Sequence, residues 1–252
     1  MFNLRSKILF IILPAVMLSI IAVFLINRKY SVGISQTYPL VHNQISKVKH
    51  GETKLEKQTF PASFLLPIPF TPQAPTANWD TLHNEACEEA SIIMTQAYFY
   101  GFKESTLSPQ YTENELTKIT KWETTNFGYF LDINSEEIVQ TLKQIYGLQS
   151  KLITNFSEES VKTILAKKHL IIWPSNGKKL NNPNFKNGGP PYHVIILKGY
   201  NGSTFITNDP GTRLGLNYPY PYQTLYQANG DYNNQTHVVD LTKKILIEVW
   251  KD

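Results

Sequence analysis

A single cysteine and a distant histidine are the residues of this sequence best suited to nucleophilic chemistry. Cys87, the only cysteine among 252 residues, lies near the start of Glu85–Tyr100, a segment with helical periodicity. Unpaired N–H groups at a helix start favour a thiolate, so a cysteine there can have a lowered pKa. His193 opens an apolar run and could serve as the base or as an imidazolium paired with the thiolate. Taken alone, either residue could instead be structural, Cys87 as a small buried apolar side chain.

Two further polar residues extend the pattern. Asp209 follows His193 by 16 residues and could orient its ring if the two apolar runs form adjacent antiparallel strands. Gln73 precedes Cys87 by 14 residues, and its amide could donate to an oxyanion together with the Cys87 N–H. Each has a plain alternative, since Asp209 lies in an Asp-Pro-Gly turn sequence and Gln73 could be an exposed loop residue. The order glutamine, cysteine on a helix, histidine on a strand and aspartate is the order that a papain-like thiol hydrolase requires.

Charged neighbours of the cysteine complicate this interpretation. Glu85, Glu88 and Glu89 suit the helix dipole, but their charges oppose a thiolate. A nearby cation would have to outweigh them, and His193 is the candidate. His83, four residues before Cys87, is the reserve base.

The elements that must position these residues are predicted from periodicity, caps and turns. The predicted helices are Glu85–Tyr100, Glu113–Trp122, Glu136–Tyr146 (capped by Asn134) and Glu158–Lys168 (capped by Ser157). The predicted strands are His169–Trp173, Tyr192–Lys198, Thr204–Asn208 and Ile245–Trp250. Helices precede strands, which predicts an α+β fold with a helical half packed on a mainly antiparallel sheet.

Two proline-containing segments are predicted to be extended. Phe64–Phe70 is apolar but contains two prolines, which is typical of an edge segment. Tyr218–Tyr222 alternates tyrosine with proline, and we interpret it as a packed segment at a sheet edge. A substrate wall that stacks on sugar or peptide is the alternative for this second segment.

The amino-terminal region is predicted to be a membrane anchor. Ile8–Ile26 holds 19 residues without a charge, which as a helix span roughly 28 Å, near the ~30 Å hydrocarbon thickness. Flanking basic residues favour an orientation with the amino end inside and the remainder outside the cell. A cleaved signal peptide is the alternative, but its apolar region is shorter and ends in a small-x-small site. We expect an anchor over residues 1–29, a polar stalk over 30–62 and one globular domain over 63–252.

Charge and composition exclude several classes of function. Residues 1–57 carry a net charge of +6 and residues 58–252 a net charge of −2, so nucleic acid is not an expected partner. A single cysteine excludes an internal disulfide framework and cysteine-rich zinc or iron–sulfur sites. The sequence has no His-Glu-x-x-His helix, Gly-x-Ser-x-Gly elbow or dinucleotide fingerprint. We predict neither a cofactor nor a metal.

Three sequence blocks resemble peptidase C39-like domains. The first comprises Pro69–Pro75, Asn78-Trp79 and Glu85-Ala-Cys-Glu-Glu-Ala-Ser91; the others are Tyr192–Tyr200 and Phe205–Gly211. The resemblance covers roughly residues 63–250.

This resemblance implies a papain-like fold and cysteine peptidase activity. It implies that Cys87 is the nucleophile, His193 the base, Asp209 the orienting acid and Gln73 the oxyanion donor. We therefore expect a membrane-anchored, extracytoplasmic cysteine peptidase acting on a peptide or protein. The same thiol chemistry also allows a cell-wall amide hydrolase or an acyl transferase. The alternative is a non-catalytic domain that binds peptide or cell-wall glycan, with Cys87 as a core residue.

Overall fold

An antiparallel sheet forms the centre of residues 60–252, the part of the chain that the computed structural model describes. Its seven strands run in the order β2-β9-β3-β4-β5-β6, with β1 also paired to β4. They are β1 (Ser63–Leu65), β2 (Gln149–Ile153), β3 (Leu170–Ser175), β4 (His193–Asn201), β5 (Thr204–Asn208), β6 (Tyr218–Pro221) and β9 (Leu246–Trp250). A separate ribbon pairs β7 (Asp231–Asn233) with β8 (Val238–Asp240).

Most of the helices precede the central strands along the chain. They are α1 (Thr81–Asn84), α2 (Cys87–Phe99), α3 (Pro109–Asn126), α4 (Ser135–Tyr146), α5 (Glu158–Ala166) and α6 (Tyr222–Ala228). Helix α2 contacts β4, α3 and α4, so it lies between the sheet and the other helices. The predicted α+β fold, with helices packed on an antiparallel sheet, is confirmed.

Local sequence signals explain where several helices begin. Helix α4 starts with the predicted capping box, in which Asn134 accepts from the first-turn backbone and Glu137 accepts from the Asn134 N–H. Ser157 caps α5 through the Ser160 N–H. Helix α3 starts four residues earlier than predicted, because Ser108 caps it and Pro109 suits its first turn.

Helix α2 is buried on all sides over most of its length. Every residue from Cys87 to Ala97 is buried, including the carboxyl groups of Glu88 and Glu89. A helix that is apolar or neutralised all round belongs to a core rather than to a surface. Cys87, the first residue of this helix, therefore belongs to the core.

Strand β4 extends beyond its predicted end at Lys198. Gly199 permits this because a Cβ there would come within 2.3 Å of the Phe64 carbonyl oxygen of β1. One edge of β4 thus pairs with β3 over His193–Leu197 and with β1 over Gly199–Asn201. The extended prediction for Phe64–Phe70 holds for β1, and the following residues Ile68 and Phe70 enter the core.

Strand β3 ends later than predicted and includes a proline. Its pairing with β9 stops at Ile172. Pro174 has no N–H to donate, but it lies beyond this pairing, so no hydrogen bond between β3 and β9 is lost. The proline carbonyl accepts hydrogen bonds from the Asn229 side chain and the Gly230 N–H.

Within residues 60–252, no helix has both the length and the apolar character needed to cross a bilayer. The predicted anchor Ile8–Ile26 and residues 30–59 of the predicted stalk lie outside the described residues.

Candidate active site

Cys87 is the first residue of α2 and lies beside the first residues of β4. Its side chain is buried, and its thiol donates a hydrogen bond to Glu88 Oε2 at 2.9 Å. The Ser91 hydroxyl, one turn along α2, lies 2.8 Å from the Cys87 carbonyl oxygen and 3.3 Å from that of Val194. These contacts hold the helix start against the strand that carries His193.

The expected lowering of the Cys87 pKa is wrong for this structure. Burial raises the pKa of the Cys87 thiol well above its usual value, and the charge and hydrogen bond of Glu88 raise it further. A backbone hydrogen bond from Val194 to the sulfur acts in the opposite direction but is the smaller effect. The resting sulfur is therefore a thiol.

His193 and Asp209 form a buried pair. The distance from His193 Nε2 to Asp209 Oδ1 is 2.8 Å, and both side chains are almost fully excluded from solvent. The antiparallel pairing of β4 with β5 places Ile196 opposite Asn208, which brings the start of β4 to the end of β5. Sheet register, rather than sequence proximity, makes this contact.

Asp209 accepts four hydrogen bonds. Besides His193, Oδ1 accepts from the Gly211 N–H at 3.0 Å, while Oδ2 accepts from Tyr220 Oη at 2.6 Å and Asn182 Nδ2 at 3.0 Å. Burial opposes ionisation, but the charge and hydrogen bond of His193, with the other donors, lower the pKa of Asp209. The carboxylate is therefore held as an anion.

The Asp209 carboxylate determines which nitrogen of His193 is free. An anionic acceptor at Nε2 requires a proton on that nitrogen, which leaves Nδ1 with a lone pair in the neutral ring. Nδ1 is buried and has no hydrogen-bond partner within the described residues. The Phe185 ring packs edge-on against the imidazole, and a Cβ at Gly211 would come within 2.8 Å of its Cε1 atom. The ring is thus held in place with one basic nitrogen available.

Gln73 lies at the same site, but its amide is already hydrogen-bonded. Nε2 donates to the carbonyl oxygens of His83 at 2.8 Å and Asn84 at 3.0 Å, and the Gln73 N–H donates to the Pro210 carbonyl. Its Oε1 atom is buried without a partner in the described part of the chain. Gln73 therefore ties the turn after Asp209 to helix α1, which directly precedes Cys87.

His83, the reserve base, has a structural role. Nδ1 lies 2.7 Å from Asp80 Oδ1 and Nε2 lies 3.0 Å from Glu113 Oε2, so both ring nitrogens are occupied. Burial lowers the pKa of His83, but its hydrogen bonds to the carboxylates of Glu113 and Asp80 outweigh this and raise it. This histidine links α1 to α3 and is not available to Cys87.

Two residues around Asp209 were missed by the sequence reasoning. Tyr220 belongs to the predicted packed segment, and strand alternation turns its side chain into the interior, where it contacts Asp209. Asn182 lies in a loop 27 residues before Asp209, and nothing in its local sequence marks it. Only the folded chain reveals that both donate to one carboxylate.

Comparison with known proteins identifies the family. A model of the Peptidase_C39 like family matches residues 65–239, within the predicted globular domain. The chain belongs to this family. A crystal structure of a C39-like protein from Bacillus anthracis has a TM-score of 0.49 and 14% identity, covering 75% of this chain and 98% of that chain. No curated protein matches the sequence.

Burial neutralises the acidic start of α2 in this C39-like domain. Burial, followed by the charge of Glu89, raises the pKa of Glu88 well above its usual value. Burial also raises the pKa of Glu89 to about 7 and that of Glu123, beside Glu89, to about 12. The expected repulsion of a thiolate is therefore smaller than the formal charges indicate, because burial favours the protonated form of each of these groups.

Two cavities open beside the paired elements of the C39-like domain. The first, of about 730 Å³, is bordered by Gln73, Trp79, Phe185, Lys186, Gly211 and Arg213. The second, of about 580 Å³, is bordered by Tyr129, Asp132, Tyr232 and His237. Glu85, two residues before Cys87, borders both cavities, whereas Cys87 and His193 border neither.

The described residues contain no group of three or more histidine, cysteine, aspartate or glutamate side chains arranged to hold a metal ion.

Proposed function

We propose that this C39-like chain is a cysteine peptidase that hydrolyses an amide bond of a peptide or protein. The observation that carries the proposal is the buried His193–Asp209 pair, which leaves His193 Nδ1 unpartnered beside the helix that begins with Cys87. An imidazole oriented by a carboxylate, with one free nitrogen, is the arrangement that a thiol nucleophile needs from its base.

The reaction begins with transfer of the thiol proton. The Cys87 side chain turns from Glu88 towards His193, and Nδ1 takes the proton as sulfur attacks the substrate carbonyl carbon. Because the resting thiol has a raised pKa, no thiolate forms before the substrate binds. His193 therefore removes the thiol proton during the attack. Asp209 stabilises the imidazolium that forms.

The oxyanion requires two donors. The Cys87 N–H at the helix start supplies one. Gln73 supplies the second once an N–H is released from the carbonyl of His83 or Asn84. The imidazolium then protonates the leaving amine, and its Nδ1 activates a water that hydrolyses the thioester and restores the thiol.

We further propose that Ile8–Ile26 anchors the enzyme in the cell membrane, with the domain on the extracytoplasmic side. The uncharged length of the segment and its flanking basic residues support this location. Burial of the Cys87 thiol is compatible with an oxidising exterior, since an enclosed thiol is oxidised more slowly.

A second function is favoured by one contact. The Cys87 thiol bonds to Glu88 rather than to His193, as expected for a non-catalytic domain that binds peptide or cell-wall glycan. In that case Cys87→Ser would leave ligand binding and folding unchanged, and no turnover would be present to lose.

The decisive experiment measures cleavage of a quenched fluorescent peptide library by the full chain. We compare the wild type with Cys87→Ser and His193→Gln, and use Glu104→Gln, an exposed carboxylate bordering neither cavity, as the matched control. We expect the site variants to lose at least about 10³-fold in rate and the control to retain full activity. Equal rates for wild type and Cys87→Ser would exclude the peptidase.

A further inference from the structure

The second cavity combines two carboxyl groups with aromatic walls. Glu85 and Asp132 both border it, and the charge of Glu85 acts on Asp132. Tyr129 and Tyr232 line the same space, and His237 completes its rim. No lysine or arginine of the described residues borders it. We call this space the acidic cavity.

Of the residues that border the acidic cavity, only His237 can carry a positive charge, and its charge lowers the pKa of Asp132 less than burial and Glu85 raise it. Burial, followed by the charge of Glu85, raises the pKa of Asp132 to about 6. When Asp132 is ionised, its charge lies close to the Glu85 carboxyl group in a partly enclosed space, and like charges there repel one another. A ligand with a positive charge would remove this repulsion.

The aromatic walls are fixed before any ligand binds. The Tyr129 hydroxyl is hydrogen-bonded to Glu137, which itself takes part in the capping box of α4. The Tyr232 ring stacks on Tyr192 with centroids 5.0 Å apart, and the Tyr192 hydroxyl donates to the Ile133 carbonyl oxygen at 3.0 Å. Rigid tyrosine faces beside carboxylates suit an ammonium or guanidinium group through cation–π and ionic contacts.

The acidic cavity lies next to the reacting groups. Glu85 precedes Cys87 by two residues, and Tyr192, which supports the Tyr232 wall, directly precedes His193. The first cavity differs in charge, because Lys186 and Arg213 border it.

We propose that the acidic cavity binds the cationic side chain, lysine or arginine, of a substrate residue close to the bond that is cleaved. This assignment rests on the proposed peptidase function for its role, but the binding itself does not require turnover. The flexible alkyl stem lies along the tyrosine rings, and the charged end meets Glu85 and Asp132.

The binding test separates the cavity from the catalysis. The full chain with Cys87→Ala is titrated with Nα-acetyl-lysine methylamide and Nα-acetyl-norleucine methylamide at pH 7.5, followed by NMR. The two compounds share the same alkyl stem but differ in the ammonium group. We expect the lysine compound to bind about tenfold more tightly, an effect of about 1.4 kcal/mol. The preference falls at pH 5, because Asp132 gains its proton below a pKa of about 6.

The variants locate the preference. Asp132→Asn, and Glu85→Gln with Asp132→Asn, are expected to reduce the lysine preference stepwise, while Glu104→Gln retains it. Circular dichroism verifies that each variant is folded. If the double variant does not fold, the comparison of Asp132→Asn with the wild type is the test. Equal affinity for lysine and norleucine compounds, or a preference that survives Asp132→Asn, overturns the assignment.

Cleavage of a library with lysine, norleucine or glutamate at each position supplies the second measurement. We expect one position near the cleaved bond to prefer lysine in the wild type and to lose this preference in Asp132→Asn. Cleavage without any preference for a cationic residue overturns the cavity assignment but supports the proposed peptidase activity. Lysine-selective binding without any cleavage overturns the peptidase but supports the cavity.

Discussion

The Cys87 thiol donates its hydrogen bond to Glu88 Oε2 at 2.9 Å, while Nδ1 of His193 has no partner in the described residues. Two acceptors thus compete for one proton, a carboxyl group on the same helix and an imidazole on the adjacent strand. The resting contact with Glu88 favours the protonated sulfur, so the proposed catalysis requires the Cys87 side chain to exchange Glu88 for His193 as its partner.

Replacing Glu88 with glutamine should activate the thiol towards alkylation. The substitution preserves shape and removes a carboxyl group whose ionisation opposes a thiolate, and the glutamine amide can donate to the thiolate. We expect the pH midpoint of Cys87 alkylation by iodoacetamide to fall by about one unit, with a rate at pH 7 several-fold higher. Glu104→Gln is the control, and an unchanged alkylation profile in Glu88→Gln would show that this carboxyl does not restrain the thiol.

Replacing Asp209 with asparagine should remove most peptidase activity while the fold persists. The amide cannot stabilise the imidazolium and can favour the wrong tautomer of His193, so kcat should fall by about 10³-fold or more. Steady-state kinetics on the preferred library peptide, with circular dichroism to verify folding, measure the effect. Wild-type kcat in this variant would contradict the role assigned to the pair.

Replacing Tyr220 with phenylalanine should reduce kcat more than it changes KM. The hydroxyl donates to Asp209 Oδ2 at 2.6 Å. Its loss removes one hydrogen bond from the carboxylate that orients His193, and Tyr220 borders neither cavity. We expect kcat to fall by roughly five- to thirtyfold, matching a loss of about 1–2 kcal/mol. The acidic limb of the pH profile should also move to higher pH, because Asp209 loses a donor that lowers its pKa.

Tyr218→Phe is the matched control for Tyr220→Phe, since both tyrosines lie on β6 but only Tyr220 donates to Asp209. If the two variants lose activity equally, the tyrosine acts through strand packing and not through the carboxylate.

The acid pair of α2 and α3 should make folding stability fall as pH rises. The folded-state pKa values of Glu89, about 7, and Glu123, about 12, exceed the usual glutamate value of 4.5. Groups with raised folded pKa values contribute stability at low pH that is lost as the pH rises through them. Between pH 5 and 8 the free energy of unfolding should fall, at up to about 1.4 kcal/mol per pH unit for each proton retained.

Glu123→Gln isolates this effect, because glutamine stays neutral and can still donate to Glu89. Urea unfolding at pH 5, 6, 7 and 8 should show a shallower decline in the variant than in the wild type. His83 contributes a decline of the same sign in both proteins, so the difference between them reports on Glu123. Parallel curves would show that the pair does not retain its protons in the folded state.

Several local features of this fold could be predicted from the sequence. The strand Thr204–Asn208 and the capping box at Asn134 were predicted as the structure has them, because periodicity, caps and turn residues act over a few positions. Short elements such as β2, with half-buried residues and no bounding turn, lacked that signal. Their strand geometry depends on pairing with distant segments, as β2 does with β9.

The sequence by itself determined which residue types were available: one thiol, a histidine at a strand start and an aspartate at a strand end. Only the tertiary structure decided their protonation and partners. The register of β4 and β5 joined His193 to Asp209, and burial of α2 made Glu88 a neutral acceptor for the Cys87 thiol. Electrostatic energies depend on distance through space and on exclusion of water, and neither is encoded in spacing along the chain.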